Sequence, residues 1–169
     1  NNSEKSWVWE QYDQTVMGDT VQKPGGDSAV VRIHGKNKGV AITVDSSSHY
    51  CSADPITGGK QVVSEAWRNL ISVGSDPIAI TNCLNFGNPE KNNIMGQFVE
   101  SIDGMSQACK YLDFPVVSGN VSFYNETKNK AILPTPTIGG IGLIRDLNDM
   151  ITMDFKEVGS DILVIGKTQ

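Results

Sequence analysis

Histidine and cysteine are scarce in this chain of 169 residues, with only His34 and His49 and three cysteines, Cys51, Cys83 and Cys109. The cysteines form no C-x-x-C pair and cannot all be bridged, which suits a reducing compartment and gives little footing to a structural zinc site. Long apolar runs are missing as well, since none approaches the roughly 18 residues that a membrane-spanning helix requires. Clustered cations are also lacking: the longest basic cluster is Lys36 to Lys38 and the net charge is −5, so no surface is expected for a nucleic-acid backbone. The first residues carry no basic region followed by an apolar one, as a signal peptide would. The Asn-x-Ser/Thr patterns at Asn120 and Asn125 are therefore not expected to meet a glycosylation enzyme, and a cytoplasmic protein without membrane or nucleic-acid partners is expected.

What is present is ordinary for a globular protein: 38% hydrophobic and 20% charged residues, in a length with room for one domain and the start of another. Residues 4–16 place Trp7, Val8, Gln11, Tyr12 and Thr15 near one helical face, with Ser3 as N-cap and Glu4 in the first turn, and predict a helix packed by its aromatic side. A Gly/Pro/Asp-rich loop follows. "AVVRIHG" and "KGVAITVDSSS", separated by Gly35 to Gly39, predict a hairpin. "DPITGGK" leads into a helix over "QVVSEAWRNLISVG" with Gly74 at its C-cap. "PIAITNCLNFGNPE" predicts a strand to about Phe86, and "NNIMGQFVESIDGMSQACKYLD" a helix with Ile94, Phe98, Ile102, Met105, Cys109 and Leu112 on one stripe. "FPVVSGNVSFY", whose apolar start suggests a buried strand, and "ILPTPTIGGIGLI" complete the set, with a polar loop over 125–130 between them. Strands and helices that alternate imperfectly predict a two-layer α+β domain over residues 1–146. "ILVIGKTQ" opens a further apolar strand, so residues 147–169 are expected to be a linker and the first strand of a following domain in a longer polypeptide.

Three constellations could carry chemistry. Gly58, Gly59 and Lys60, at the mouth of a helix, could cradle a phosphate through backbone N–H groups, although Asp54 and Gln61 break the Walker A pattern and a simple turn into a helix serves as well. Asn82, Asn85 and Asn88 end an apolar strand, where amides serve either a loop backbone or a binding edge. In "SGNVS", Gly119 lets a ligand approach the main chain, Asn120 offers an oxygen to a hard cation and Ser122 shares its strand face; a β-bulge is the rival account. Glycines in "TPTIGGIGLI" need only a close strand crossing. Asp45 and His49 flank three serines on one short loop, which cannot take the geometry of a hydrolase triad.

Taken together, "WVWEQYDQTV", "PGGDSAVVR", "DPITGGKQVVSEAWRNLISVGSDPIAITNCLNFGNPE", "SGNVSFYNET" and "LPTPTIGGIGLI" resemble the phosphoribosylformylglycinamidine synthase family, in colinear order over nearly the whole chain. The resemblance implies the N-terminal domain of the second half of a duplicated synthetase. That domain has the aminoimidazole ribonucleotide synthetase N-terminal fold, a sheet packed on helices that pairs with a like domain into a barrel. It implies an ATP-dependent ligation in purine biosynthesis. ATP activates the amide oxygen of formylglycinamide ribonucleotide as an iminophosphate, and ammonia from glutamine displaces the phosphate, with Mg²⁺ neutralising charge. By position, Gly119 would lie against ATP, Asn120 would bind magnesium and Ser122 would contact the ribonucleotide. Asn82 falls where typical members carry an ATP-contacting Asp, and keeps a hydrogen-bond acceptor without the charge. Asp45, Gly58, Gly59 and Lys60 would border a second, structural nucleotide. No catalytic residue is expected in this piece. Implied partners are the rest of the synthetase chain, a glutaminase subunit and a small accessory subunit, with a homodimer of the fragment imitating the missing domain. A selenophosphate or thiamine-phosphate synthetase-like enzyme, or a non-catalytic nucleotide-binding module, would share the fold, but such enzymes are expected to lack "LNFGNP" and "GNVSFYNE".

Overall fold

The structure, a computed structural model, describes residues 6–23 and 25–167. After a single helical turn α1 (Ser6–Trp9) come β1 (Thr20–Gln22), β2 (Ala29–Arg32), β3 (Gly39–Ser46), α2 (Ser48–Ala53) and α3 (Pro55–Ser72). They are followed by β4 (Asp76–Asn85), α4 (Asn92–Leu112), β5 (Val116–Ser122), β6 (Glu126–Thr127), β7 (Lys130–Ala131) and β8 (Thr135–Ile144). Six strands form one sheet in the order β1-β2-β3-β8-β4-β5, and β6 and β7 form a small separate hairpin. All neighbours in the large sheet are antiparallel except β4 and β5, which run parallel because α4 carries the chain back across the sheet between them.

Helices α3 and α4 cover one face only. Their buried residues, Val62, Val63, Ala66 and Leu70 from α3 and Ile94, Met105 and Ala108 from α4, meet Val30, Ala41, Ile80, Leu84, Ile138 and Ile144 of the sheet. The alternation of β8 shows why: Pro136, Ile138, Gly140, Gly142 and Ile144 are buried, while the residues between them are not. Asp54 starts α3 by accepting the Thr57 N–H at 3.0 Å, and Pro55 sits where no N–H is needed. The helix therefore begins six residues earlier than the periodicity alone predicts.

Four expectations change. The predicted helix over 4–16 reduces, among the described residues, to one turn, with Trp7 66% exposed; Ser3 and Glu4 lie outside the described residues. An Asx turn, in which Asp13 accepts the Thr15 N–H at 2.7 Å, ends it, and the side chains of Gln11 and Gln14 take up its carbonyls. On α4 the predicted stripe holds at Ile94 and Met105, with Phe98, Cys109 and Leu112 packed on the core, but Ile102 is exposed, and Ser101, Gly104 and Ala108 are buried where α3 crosses closely. The strand with the apolar start, β5, is an edge strand with Val116, Val117 and Val121 exposed. "ILVI" at 162–165 forms no strand and is exposed, since no strand among the described residues pairs with it.

Candidate functional site

The parallel pair β4 and β5 sets Thr81 beside Ser118, Asn82 beside Gly119, Cys83 beside Asn120 and Asn85 beside Ser122. Alternation sends these pairs to opposite faces of the sheet. On the open face the Ser118 hydroxyl donates to Thr81 Oγ1 at 2.8 Å, and Asn120 Nδ2 lies 4.0 Å from the exposed thiol of Cys83. The Asn120 oxygen accepts no hydrogen bond from the described residues. On the other face, a Cβ at Gly119 would fall 2.1 Å from Asn82 Oδ1, so the Asn82 carboxamide fills the space where a Gly119 side chain would stand. Glycine is required there by close approach rather than by an unusual φ. Two cavities flank this seam: one of about 390 Å³ on the open face, bordered by Val44, Thr81, Asn120 and Thr137, and one of about 340 Å³ toward α4, bordered by Leu84, Met105 and Val116. Asn82 borders both. A cavity of about 400 Å³, lined by Gln22, Gly26, Asp27, Ser72 and Thr152, has no predicted site residue in its lining.

The "LNFGNP" and "GNVSFYNE" segments fold onto each other. Phe86 N–H donates to the Ser122 carbonyl at 3.0 Å, Tyr124 N–H to the Gly87 carbonyl at 3.0 Å, and Asn125 N–H to the Phe86 carbonyl at 3.2 Å. The Asn125 side chain adds bonds from Nδ2 to the carbonyls of Phe86 and Ser122, both at 3.0 Å. Glu126 accepts the Asn88 N–H at 3.0 Å and both carboxylate oxygens meet Lys91 Nζ, at 2.8 and 2.9 Å. The Lys91 ammonium and the Asn88 amide hold the Glu126 carboxyl below the usual range. Gly87 admits this contact, since a Cβ there would lie 2.6 Å from Ala131 Cβ. Phe86, Phe98 and Phe123 stack edge to face beneath, with centroids 5.2 and 4.9 Å apart. Sequence reasoning left Asn125 to Thr127 as plain loop and missed this clasp.

The second predicted set does not come together as a loop. Gly58 and Gly59 lie inside α3 and are buried: Gly58 N–H donates to the Asp54 carbonyl, and a Cβ at Gly58 would be 2.5 Å from Cys51 N. A Cβ at Gly59 would be 2.4 Å from the Ser101 carbonyl oxygen of α4. These glycines allow helices to cross closely; the amide of Gly58 is spent within the helix and cannot cradle a phosphate. Lys60 borders a shallow cleft with Gln107 and Tyr111. Asp45 accepts hydrogen bonds from Thr43 at 2.9 Å and from Asn69 of α3 at 2.8 Å, and burial pushes its carboxyl above the usual range.

The β4–β5 seam thus offers amides, hydroxyls, a thiol and main chain, with no carboxylate in the lining of either cavity and Lys110 at the rim of the one toward α4. It can bind, orient and lend an oxygen to a cation, and the exposed thiol of Cys83 is the ionisable group among its paired residues. Among the described residues no three His, Cys, Asp or Glu side chains gather as a metal site.

The family model described as "AIR synthase related protein, N-terminal domain" matches residues 25–144, which contain the whole seam and both helices. The chain belongs to this AIR synthase related family. The phosphoribosylformylglycinamidine synthase subunit PurL of Pelagibacter ubique is 64% identical over all 169 residues, which make up 23% of that protein. Among solved structures, PurLQS from Thermotoga maritima gives a TM-score of 0.82 at 33% identity, over 89% of this chain and 25% of that one. T. maritima PurL complexed with ATP gives 0.75 at 35% identity, over 85% and 24%. The AIR synthase related chain described here therefore spans about a quarter of the relatives it matches, and its α+β sheet-on-helices architecture is theirs. No helix among the described residues is long and apolar enough to cross a membrane.

Proposed function

We propose that this chain is the part of a phosphoribosylformylglycinamidine synthase that forms one wall of its ATP and ribonucleotide site. The observation that carries the reading is the β4–β5 seam, where Asn82 interlocks with Gly119 and Asn120 and Ser122 stand on the adjoining face, within a chain 64% identical to a PurL subunit. The whole enzyme would join ammonia from glutamine to formylglycinamide ribonucleotide at the expense of ATP, in the cytoplasm. Gly119 and the Asn82 carboxamide that fills its side-chain space would together face the nucleotide. Asn120 fits a divalent cation as a single neutral oxygen ligand, the other ligands coming from elsewhere in the protein. A Mg²⁺ held there would neutralise phosphate charge. Ser122 would hold the ribonucleotide by its hydroxyl. The neutral seam positions reactants; proton transfer belongs to residues outside this piece.

The open sheet face, with Ile42, Val44, Val117 and Ile141 exposed, and the unpaired edge of β5 suit a like domain of the same synthetase, or a second copy of the fragment in its place. Similarity to PurLQS supports glutaminase and accessory subunits beyond that. Sedimentation of the fragment at high concentration checks the pairing, and a strict monomer counts against it. In the full-length synthetase, Asn120→Ala and Ser122→Ala are each expected to lower ATP- and glutamine-dependent turnover about a hundredfold, the scale of losing one positioned polar contact in a site. Unchanged turnover in both variants would sink the site assignment.

A further inference from the structure

Of the three asparagines along β4 and the turn after it, two have structural work. Asn82 fills the space beside Gly119, and Asn88 shapes the turn, its Oδ1 accepting the Glu90 N–H at 2.9 Å. Asn85 has neither task. It lies on the open face at the last position of β4, between Ser122 of β5 and Thr135 of β8, so that a hydroxyl, an amide and a hydroxyl stand in one row across three strands. The backbone fixes this row, because β4 is paired on both sides and the next residue, Phe86, donates its N–H to the Ser122 carbonyl at 3.0 Å. The Asn85 carboxamide bonds only to Cys83 of its own strand, with Nδ2 3.3 Å from the Cys83 carbonyl and 3.5 Å from Cys83 Sγ. A carbonyl cannot donate, so the amide nitrogen must face it and Oδ1 faces away, with no hydrogen-bond partner among the described residues.

We infer that Asn85 is a further contact for the ribonucleotide, its Oδ1 accepting a hydrogen bond from a ribose hydroxyl beside the Ser122 side chain. The chemistry of that oxygen narrows the group it takes, since a carboxamide oxygen can only accept. A phosphate oxygen is itself an acceptor and is refused there. A ribose hydroxyl has a proton to give, and neighbouring strands lie only about 4.8 Å apart, so one ribose with two hydroxyls can meet Asn85 and Ser122 together. The inference rests on the reading of Ser122 as a ribonucleotide contact.

Steady-state kinetics of the full-length synthetase test the contact. Asn85→Ala is expected to raise the KM for formylglycinamide ribonucleotide about tenfold, the scale of one hydrogen bond, and to leave the KM for ATP within about twofold. The thermal midpoint should move by less than about 2 °C, since the side chain bonds nothing outside its own strand. An unchanged ribonucleotide KM overturns the inference, as does a rise for both substrates with a lowered midpoint, the mark of a structural role. The 2′-deoxy and 3′-deoxy analogues of the ribonucleotide probe the same bond from the other side. One of them should cost the unaltered enzyme about tenfold in KM and Asn85→Ala almost nothing, as coupled partners require; equal penalties in both proteins for both analogues overturn the ribose assignment. Should Asn85→Ala not fold, Asn85→Leu, close to asparagine in shape and unable to hydrogen-bond, is read the same way. Ser122→Ala with an unchanged ribonucleotide KM overturns the reading beneath the inference, whereas a raised KM there beside a silent Asn85→Ala overturns the inference alone.

Discussion

The two faces of the central sheet are made by alternate residues of the same strands, yet they differ completely. On β3, Ala41 is 0% exposed beneath the helices, and Val44, three residues on, is 70% exposed on the other side. On β8 the buried set includes glycines that let the helix layer approach, Gly140 meeting Leu70 and Phe114, while Ile141 next to it is open. The covered face is mostly apolar and closely crossed; Asn82 and Gly119 fill each other's space there, and Asp45 meets Asn69 of α3. The open face keeps valines and isoleucines in water beside hydroxyls and amides, the composition of a surface built for something else to sit on. The core thus lies on one side of a layer about a residue thick, and the exposed apolar surface on the other.

The sharpest way to test that division is to place the same charge on each side. Ala41→Asp leaves an unpaired carboxylate under α3 and is expected to cost about 3–5 kcal/mol, enough to unfold much of a marginally stable domain. Val44→Asp is expected to change the urea midpoint of the fragment by less than about 0.5 kcal/mol in equivalent stability, yet to abolish any pairing through the open face seen by sedimentation. Next in size is Gly104→Val on the covered side: a Cβ at Gly104 would already lie 2.1 Å from the Ile56 carbonyl oxygen, so the helices must separate. The expected loss is on the order of 3 kcal/mol in urea unfolding. The smallest effect belongs to the clasp at the end of the open seam. Glu126→Gln should lower the thermal midpoint at neutral pH, and the difference from the unaltered chain should close under acid. The sign follows from the lowered carboxyl: its pairing with Lys91 stabilises above the ordinary glutamate range and is lost as pH falls through the lowered value. A midpoint difference that persists unchanged below that range would show that the ion pair does not hold the clasp.

Much of this was legible in the chain. The hairpin of β2 and β3, the long α4, and the strands β4 and β8 follow from period and punctuation, because a two-residue alternation or a 3.6-residue stripe survives whatever the strands pack on. Gly119, Asn120 and Ser122 stood out by residue type within four consecutive positions. The failures have one cause, that periodicity reports an apolar side but not its neighbour. Trp7 and Tyr12, expected on one helical face, are exposed with none of the described residues covering them, and Val116 and Val117 are apolar on an edge strand. Gly58, Gly59 and Gly104 looked like loop chemistry or nothing at all, since a glycine's use in a helix crossing depends on which carbonyl passes over it.

By itself, then, the sequence determined which segments extend and which coil, and which polar residues crowd the end of one strand, because these depend on neighbours a few residues apart. Only the tertiary structure decided that β4 and β5 lie side by side in parallel, so that residues 37 positions apart, Asn82 and Gly119, share one space. It also decided that Asn125 and Glu126 reach back to close the turn after β4. Those pairings are set by the α4 crossover and the crossing distance of the helices, distances that no local pattern encodes.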